Sequence, residues 1–231
     1  MAYKPDDLDA GIFDDVEDLT ETERATLTDL FRKEHFQIES AKVMRDGDTC
    51  EAIVDVSYLE RHSTASHTSS RTVRQTVACF FRRDVDIPSF GIQPKRGVTG
   101  GLFDAVSAFA GLPAVDLPEH PDVARQFAIL SFYPDSTRRV ITPTVAEAFL
   151  RHKEFAARTG PHLIAVYRPG KTVVPADQEG FYESARDIAD RIVESAAALP
   201  AEARPGGEEA VETIQSLGGF VGRQLRKRLV T

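Results

Sequence analysis

Cys50-Glu51-Ala52-Ile53-Val54-Asp55-Val56-Ser57-Tyr58 is the stretch that decides how this sequence folds, read together with Thr72-Val73-Arg74-Gln75-Thr76-Val77-Ala78-Cys79-Phe80-Phe81. In the first, Cys50, Ala52, Val54, Val56 and Tyr58 alternate with a set that holds Glu51, Asp55 and Ser57. In the second, Val73, Val77, Cys79 and Phe81 alternate with Thr72, Arg74, Thr76 and Ala78. A period of two marks a strand with one face turned to the core. Only the polar run Arg61-His62-Ser63-Thr64-Ala65-Ser66-His67-Thr68-Ser69-Ser70 separates them, so the pair reads as one long antiparallel hairpin. The expected register sets Ala52 beside Val77, Val56 beside Val73 and Cys50 opposite Cys79, with two free, buried thiols. It turns Asp55 outward, opposite Arg74, as a cross-strand ion pair worth a few tenths of a kcal/mol.

Toward the N-terminus, Asp46-Gly47 is a tight-turn dipeptide, and Phe36, Ile38 and Val43 before it are β-like. Thr20-Glu21-Thr22-Glu23 can form a capping box, in which each side chain satisfies an orphan backbone N–H, and Leu27, Leu30 and Phe31 follow at helical spacing. Toward the C-terminus, residues 89–93 read as a short edge strand ended by Pro94. Gly97, Gly100 and Gly101 form a loop before a short apolar helix with Leu102, Phe103, Val106, Phe109 and Ala110. Residues 112–121, with three prolines, read as a surface linker. A strand is expected over 126–133. Thr142-Pro143 starts a helix with Val145, Ala148 and Phe149 on its buried stripe. Leu163-Ile164-Ala165-Val166-Tyr167 is an apolar strand. Arg168-Pro169-Gly170-Lys171 suits a type II turn, because Pro presets φ and Gly accepts φ > 0. Val173-Val174 begin a return strand, and Pro175 opens a long helix with Phe181, Tyr182, Ala185, Ile188 and Ile192 on one face. The fold class is α+β: an antiparallel sheet built from hairpins, with helices packed mainly on one face.

Composition narrows the function. With 42% hydrophobic and 28% charged residues, the chain of 231 residues is ordinary for a globular protein rather than a disordered one. Two cysteines exclude a disulfide scaffold. No run approaches the ~18 apolar residues of a membrane span. The opening MAYKPDDLDAG has no apolar core of a secretory signal, so a cytoplasmic location is expected. The net charge of -8 is concentrated at the start: Asp6, Asp7, Asp9, Asp14, Asp15, Glu17, Asp18, Glu21 and Glu23 face one base, Lys4. The remainder is balanced, so no basic nucleic-acid face is expected.

Motifs with chemistry are scarce. The chain has no G-x-G-x-x-G, Walker lysine, G-x-S-x-G or H-E-x-x-H pattern. Gly97-Val98-Thr99-Gly100-Gly101 lacks the Lys-Ser/Thr of a phosphate loop and reads as a flexible helix entry. Lys171 sits in a turn before a strand rather than a helix. His62 and His67 share a polar loop without the further ligands a metal needs. His152 continues the Val145, Ala148, Phe149 stripe and reads as a core histidine with its ring satisfied. No catalytic residue, metal ligand or cofactor site is assigned.

Four short pieces carry a resemblance: Val56-Ser57-Tyr58 with Arg74-Gln75-Thr76-Val77, then Ile87-Pro88-Ser89-Phe90-Gly91-Ile92-Gln93-Pro94, then Asp116-Leu117-Pro118-Glu119-His120-Pro121, then Val166-Tyr167-Arg168-Pro169-Gly170-Lys171. Over about residues 48–195 the chain resembles a group of uncharacterised bacterial proteins, some with an N-terminal membrane anchor. This chain carries an acidic arm there instead. The resemblance implies a bacterial intracellular protein working near a membrane, and no catalytic residue.

The expected organisation is an acidic disordered arm at 1–19, an α+β core at 20–199, a linker at 200–207 and an amphipathic helix at 208–231. In that last segment Val211, Ile214, Leu217, Val221, Leu225 and Leu229 share a face. One reading packs this helix on the core, with its cations at the C-terminus to suit the helix dipole; in the other, Phe220, Arg223, Arg226, Lys227 and Arg228 are the candidate contacts to an anionic membrane surface or a protein partner. The expected function is a non-enzymatic binding or scaffolding protein, peripheral to the inner membrane face. The alternative is an enzyme or small-ligand binder with a pocket between sheet and helices.

Overall fold

The computed structural model describes residues 18–47, 49–63, 68–95 and 112–200. Residues 1–17 of the expected acidic arm and the C-terminal segment with Phe220, Arg223, Arg226, Lys227 and Arg228 lie outside the described residues. So do the helix expected after Gly101 and His67 of the hairpin loop. The last two residues assigned to the arm are ordered against the body, with Leu19 buried and Asp18 paired with Arg24.

The elements are α1 (Glu21–Phe31), β1 (Glu34–Asp46), β2 (Thr49–Ser63), β3 (Thr68–Arg82), β4 (Phe90–Pro94), α2 (Pro121–Gln126), β5 (Phe127–Ser131), α3 (Pro134–Val140), α4 (Pro143–Arg151), β6 (Ala156–Gly160), β7 (Leu163–Tyr167) and α5 (Gln178–Ala197). The seven strands form one sheet in the order β1-β2-β3-β7-β6-β4-β5. Every neighbouring pair is antiparallel. The fold is α+β, as the alternation implies.

Both faces of the sheet are covered. Residues of α2, α3, α4 and α5 join Ile53, Ala78, Phe80, Ile92, Ile129, Ile164 and Val166 in one core. On the opposite face α1 packs Leu27 and Phe31 against Val54, Val77, Cys79, Ala165 and Tyr167. Helices therefore lie mainly on one face, with α1 alone opposite. The α1 capping box forms: Glu23 N donates to Thr20 Oγ1 at 3.3 Å and Thr20 N to Glu23 Oε2 at 2.9 Å. This helix lies across the strands. Its first turn is tied to β1 by Arg45 on Glu23 (2.7 Å), and its last to β6, where Arg158 Nη1 donates to the Phe31 carbonyl at 2.9 Å. Gly160 allows that approach, since a Cβ there would stand 3.2 Å from Leu30 Cδ1.

The hairpin corrects the expected register by two residues. Ala52 faces Cys79, Val54 faces Val77 and Tyr58 faces Val73. A shift of two leaves every side chain on its face, so the period was read correctly while the pairing was not. Cys50 lies opposite Phe81, diagonal to Cys79, and both thiols are free and buried. The expected Asp55–Arg74 pair is replaced. Thr76 Oγ1 donates to Asp55 at 2.6 Å and accepts from Val173 N at 2.8 Å. That second bond also explains why Val173-Val174 form no return strand: a side-chain oxygen, not a ladder, receives the amide. A short 3₁₀ turn, Pro175–Asp177, precedes α5.

Two further corrections concern the middle of the chain. β4 is not an edge strand, since it lies between β5 and β6. Only Gly91 and Ile92 pair with β6, so the N–H missing at Pro94 breaks no bond on that side. The expected surface linker instead seals β5. Ala114 bridges Leu130, Val115 N donates to the Ile129 carbonyl at 2.8 Å, and Val115 and Leu117 are buried.

Candidate functional site

Between the hairpin and α5 lies a buried ionic network. Glu51 of β2 is opposite Phe80, and its odd-numbered parity turns it toward α5. Arg82 Nη2 meets Glu51 Oε1 at 2.5 Å. Tyr182 of α5 donates its phenol to the other carboxylate oxygen. All three residues are buried. Burial, then the bond to Glu51, pushes the Tyr182 phenol well above its ordinary range. Asp190, one helical turn beyond Arg186, is raised by burial, against the opposing charges of Arg186 and Arg82. A carboxylate committed to an arginine and a phenol at once, beside a tyrosine held neutral, orients a helix on a sheet. It offers no open position to a substrate.

The α1 face holds the thiols and a second group of cations. Burial and the nearby Glu23 push the Cys50 thiol up to about 12, and burial raises Cys79 further. Both shifts favour the protonated thiol over the thiolate. Arg45 holds the Glu23 carboxyl down at about 2. Arg158 rides over Phe31 at 5.1 Å, and Lys33 Nζ sits 5.4 Å from the Tyr58 ring centre. Burial, then repulsion from Arg158, lowers the Lys33 ammonium. The Gln75 carbonyl accepts from Gly170 N at 3.1 Å, which fixes the turn where Gly170 takes φ +67. Lys171 of that turn reaches Glu154 at 2.8 Å, so its charge is engaged by a carboxylate.

The histidines are dispersed. His152 caps α4 half-buried, with Nε2 3.3 Å from Asp187 and its ring edge-on to Phe155 at 5.7 Å. Its ring is partnered as expected, although it sits at the rim of the core. Among the described residues no group of three or more His, Cys, Asp or Glu side chains is placed to hold a metal. A groove of about 480 Å³ is lined by Arg139, Thr142, Pro143, Ser195, Leu199 and Pro200. It opens between the ends of α4 and α5 rather than between sheet and helices.

The longest strands carry the most exposed surface of the sheet. Only residues 77–81 of β3 pair with β7, and β1 begins at Glu34, opposite Leu59. Residues 60–63 and 68–71 therefore extend as a two-stranded ribbon, four residues or roughly 14 Å long. Arg71 and Glu60 pair across its base at 2.7 Å. Below its base β1 runs along β2, 13 residues with no neighbour on its outer side among the described residues. The sequence reading missed β1 as an edge. The signal was available in Phe36, Ile38, Ala41 and Val43, but a bulge between Ile38 and Ser40 breaks their alternation. No described helix is long and apolar enough to cross a membrane. Among known proteins, no family model, curated protein or solved structure matches this chain.

Proposed function

We propose that this chain is a non-enzymatic binding or scaffolding protein of the bacterial cytoplasm, which engages a protein partner through the projecting ribbon of β2 and β3. The observation that carries the reading is the contrast in strand length. β2 and β3 run 15 residues each, against five in each of β4, β5, β6 and β7. β3 stays buried at Val73, Gln75 and Thr76 beyond its pairing with β7, whereas Ser69, Ser70, Arg71, Thr72 and Arg74 are exposed. The filled interface between sheet and helices weighs against the pocket reading. The test is capture by the immobilised full chain against a variant with Arg71→Glu and Arg74→Glu, both exposed positions, after circular dichroism shows equal folding. The reading expects a specific partner lost with the variant. A large thermal stabilisation by a small metabolite, unchanged in that variant, supports the pocket instead.

Peripheral attachment to the inner membrane face extends this proposal. It rests on the sequence at Phe220, Arg223, Arg226, Lys227 and Arg228 alone. Co-sedimentation with anionic vesicles, for the full chain against one ending at Pro200, tests it. Binding by the longer chain only is the expected result, and equal binding or none removes this extension.

A further inference from the structure

We infer that the α1 face of the sheet carries a binding site for a small oxyanion, a carboxylate or phosphate group held by Lys33, Tyr58, Gln75, Tyr167 and Arg158 where α1 ends. Strand register places four of these side chains. Val73 is opposite Tyr58, and Gln75 lies two residues beyond it on β3. Val77, two further on, is opposite Tyr167 of β7. Ala165, two residues before Tyr167, is opposite Arg158 of β6. A step of two keeps the face, so Tyr58, Gln75, Tyr167 and Arg158 form one diagonal across the neighbouring strands β2, β3, β7 and β6. Diagonal neighbours stand about 7–8 Å apart, within reach of aromatic and long side chains. Lys33 comes from the link between α1 and β1 and sets its ammonium over the Tyr58 ring at 5.4 Å.

The chemistry of this row is one-sided. Gln75 is fully buried, and its Oε1 is fixed by Gly170 N at 3.1 Å. The amide nitrogen, Nε2, has no acceptor among the described residues. A buried donor without a partner marks a place where something else accepts. Tyr58 and Tyr167 are buried on either side of it, and neither phenol makes a hydrogen bond among the described residues. Burial, then Tyr167, raises the Tyr58 phenol, which therefore stays a donor. Lys33 has no carboxylate within ion-pair distance among the described residues, while Arg158 is near enough to repel its ammonium. Glu60, whose charge Lys33 also feels, is bonded to Arg71 at 2.7 Å.

An oxyanion supplies what these groups lack. It offsets the repulsion between Lys33 and Arg158 and accepts from the phenols and the Gln75 amide. Arg158 Nη1 donates to the carbonyls of Leu30 at 3.3 Å and Phe31 at 2.9 Å, so the negative end of α1 is already covered. A cation would meet two positive charges, and a neutral molecule would leave their repulsion in place. The way in lies at Lys33, which is half-buried, with Gln75 as the floor.

The experiment is a titration of the full chain with inorganic phosphate and, separately, with succinate, followed through the ζ-carbon resonances of isotope-labelled tyrosines. The expected result is saturable binding of one anion or both that shifts Tyr58 and Tyr167 together and leaves Tyr133 in place. Phosphate alone, or succinate alone, names the group the site takes. Lys33→Ala and Tyr58→Phe are each expected to weaken binding about tenfold, the worth of one hydrogen bond to a charged group. No shift with either anion at millimolar concentration overturns the inference, and so does binding that either variant leaves unchanged. A Tyr58 resonance that ignores both anions but moves in Asp14→Asn/Asp15→Asn/Glu17→Gln also overturns it, since this chain's own carboxylates then meet the donors. The ribbon reading is separate: Lys33→Ala keeps Arg71 and Arg74, so anion binding should fall in it while partner capture does not.

Discussion

The two halves of the sheet are built to different rules. β6 and β7 are five residues long, and every residue in them is buried. β1, by contrast, is 13 residues with a single buried position, Val43. The short strands are sandwiched between α1 and α5, so they need no polar face and show no alternation. The long strands leave the sandwich part-way along, and polarity returns where the cover ends. On β2 the transition falls near Leu59. On β3 it falls before Val73, and the residues beyond it are exposed. Stability is thus concentrated where the strands are short, and accessible surface where they are long.

Deleting a side chain from the enclosed half should cost most. Phe80 is fully buried and stacks on Tyr182 at 6.0 Å. Phe80→Ala is expected to lose about 3–5 kcal/mol in urea unfolding, while Ser70→Ala on the ribbon loses less than about 0.5 kcal/mol. Equal losses at the two sites would abolish the distinction between halves.

The same contrast applies to ion pairs. Arg82→Met removes the arginine bonded to a buried carboxylate and leaves it the Tyr182 phenol and the more distant charge of Arg186, and a loss of about 3 kcal/mol is expected. Arg71→Met removes a partner of Glu60 at the exposed end and is expected to cost about 0.5 kcal/mol or less. Denaturation of both variants under one set of conditions sharpens the comparison.

Acid should act through the α1 cap. The Glu23 carboxyl is depressed from 4.5 to about 2 by Arg45 and the Thr20 cap. Its contribution is fully present above pH 4.5 and is lost as pH falls toward 2. Thermal melts of the natural chain should therefore decline across that window, and Glu23→Gln should flatten part of the decline. A variant as acid-sensitive as the natural chain would remove Glu23 from the account. The smallest effect expected is local. Amides of residues 77–81 should exchange only through global unfolding, and those of 60–63 and 69–71 far sooner, as read by hydrogen-exchange mass spectrometry.

Legibility followed the same division. The hairpin, the Thr20 cap, the Gly47 and Gly170 turns and the α4 stripe were all readable, because each depends on residues close in sequence. β6 was invisible. Ala156-Ala157-Arg158-Thr159-Gly160 has neither alternation nor β-branched bulk, and Arg158 is buried there only because the carbonyls ending α1 need a donor. Glu51 likewise read as an outward residue; it is buried because α5 closes over that face and supplies Tyr182. The place of β1 at the edge of the described sheet was missed because one bulge puts Ile38 and Ala41 on the same face three residues apart.

By itself the sequence determined which residues share a face, where helices begin and where turns fall. Those are consequences of backbone geometry with periods of two and 3.6, and of φ at a few glycines. Tertiary structure decided the pairing register, the order β3-β7-β6-β4 and the fate of each polar side chain. Register shifts of two preserve every face, so no local pattern can tell them apart. The energy that selects among them comes from contacts far apart in the chain: α1 across β1 to β6, and Tyr182 of α5 on Glu51.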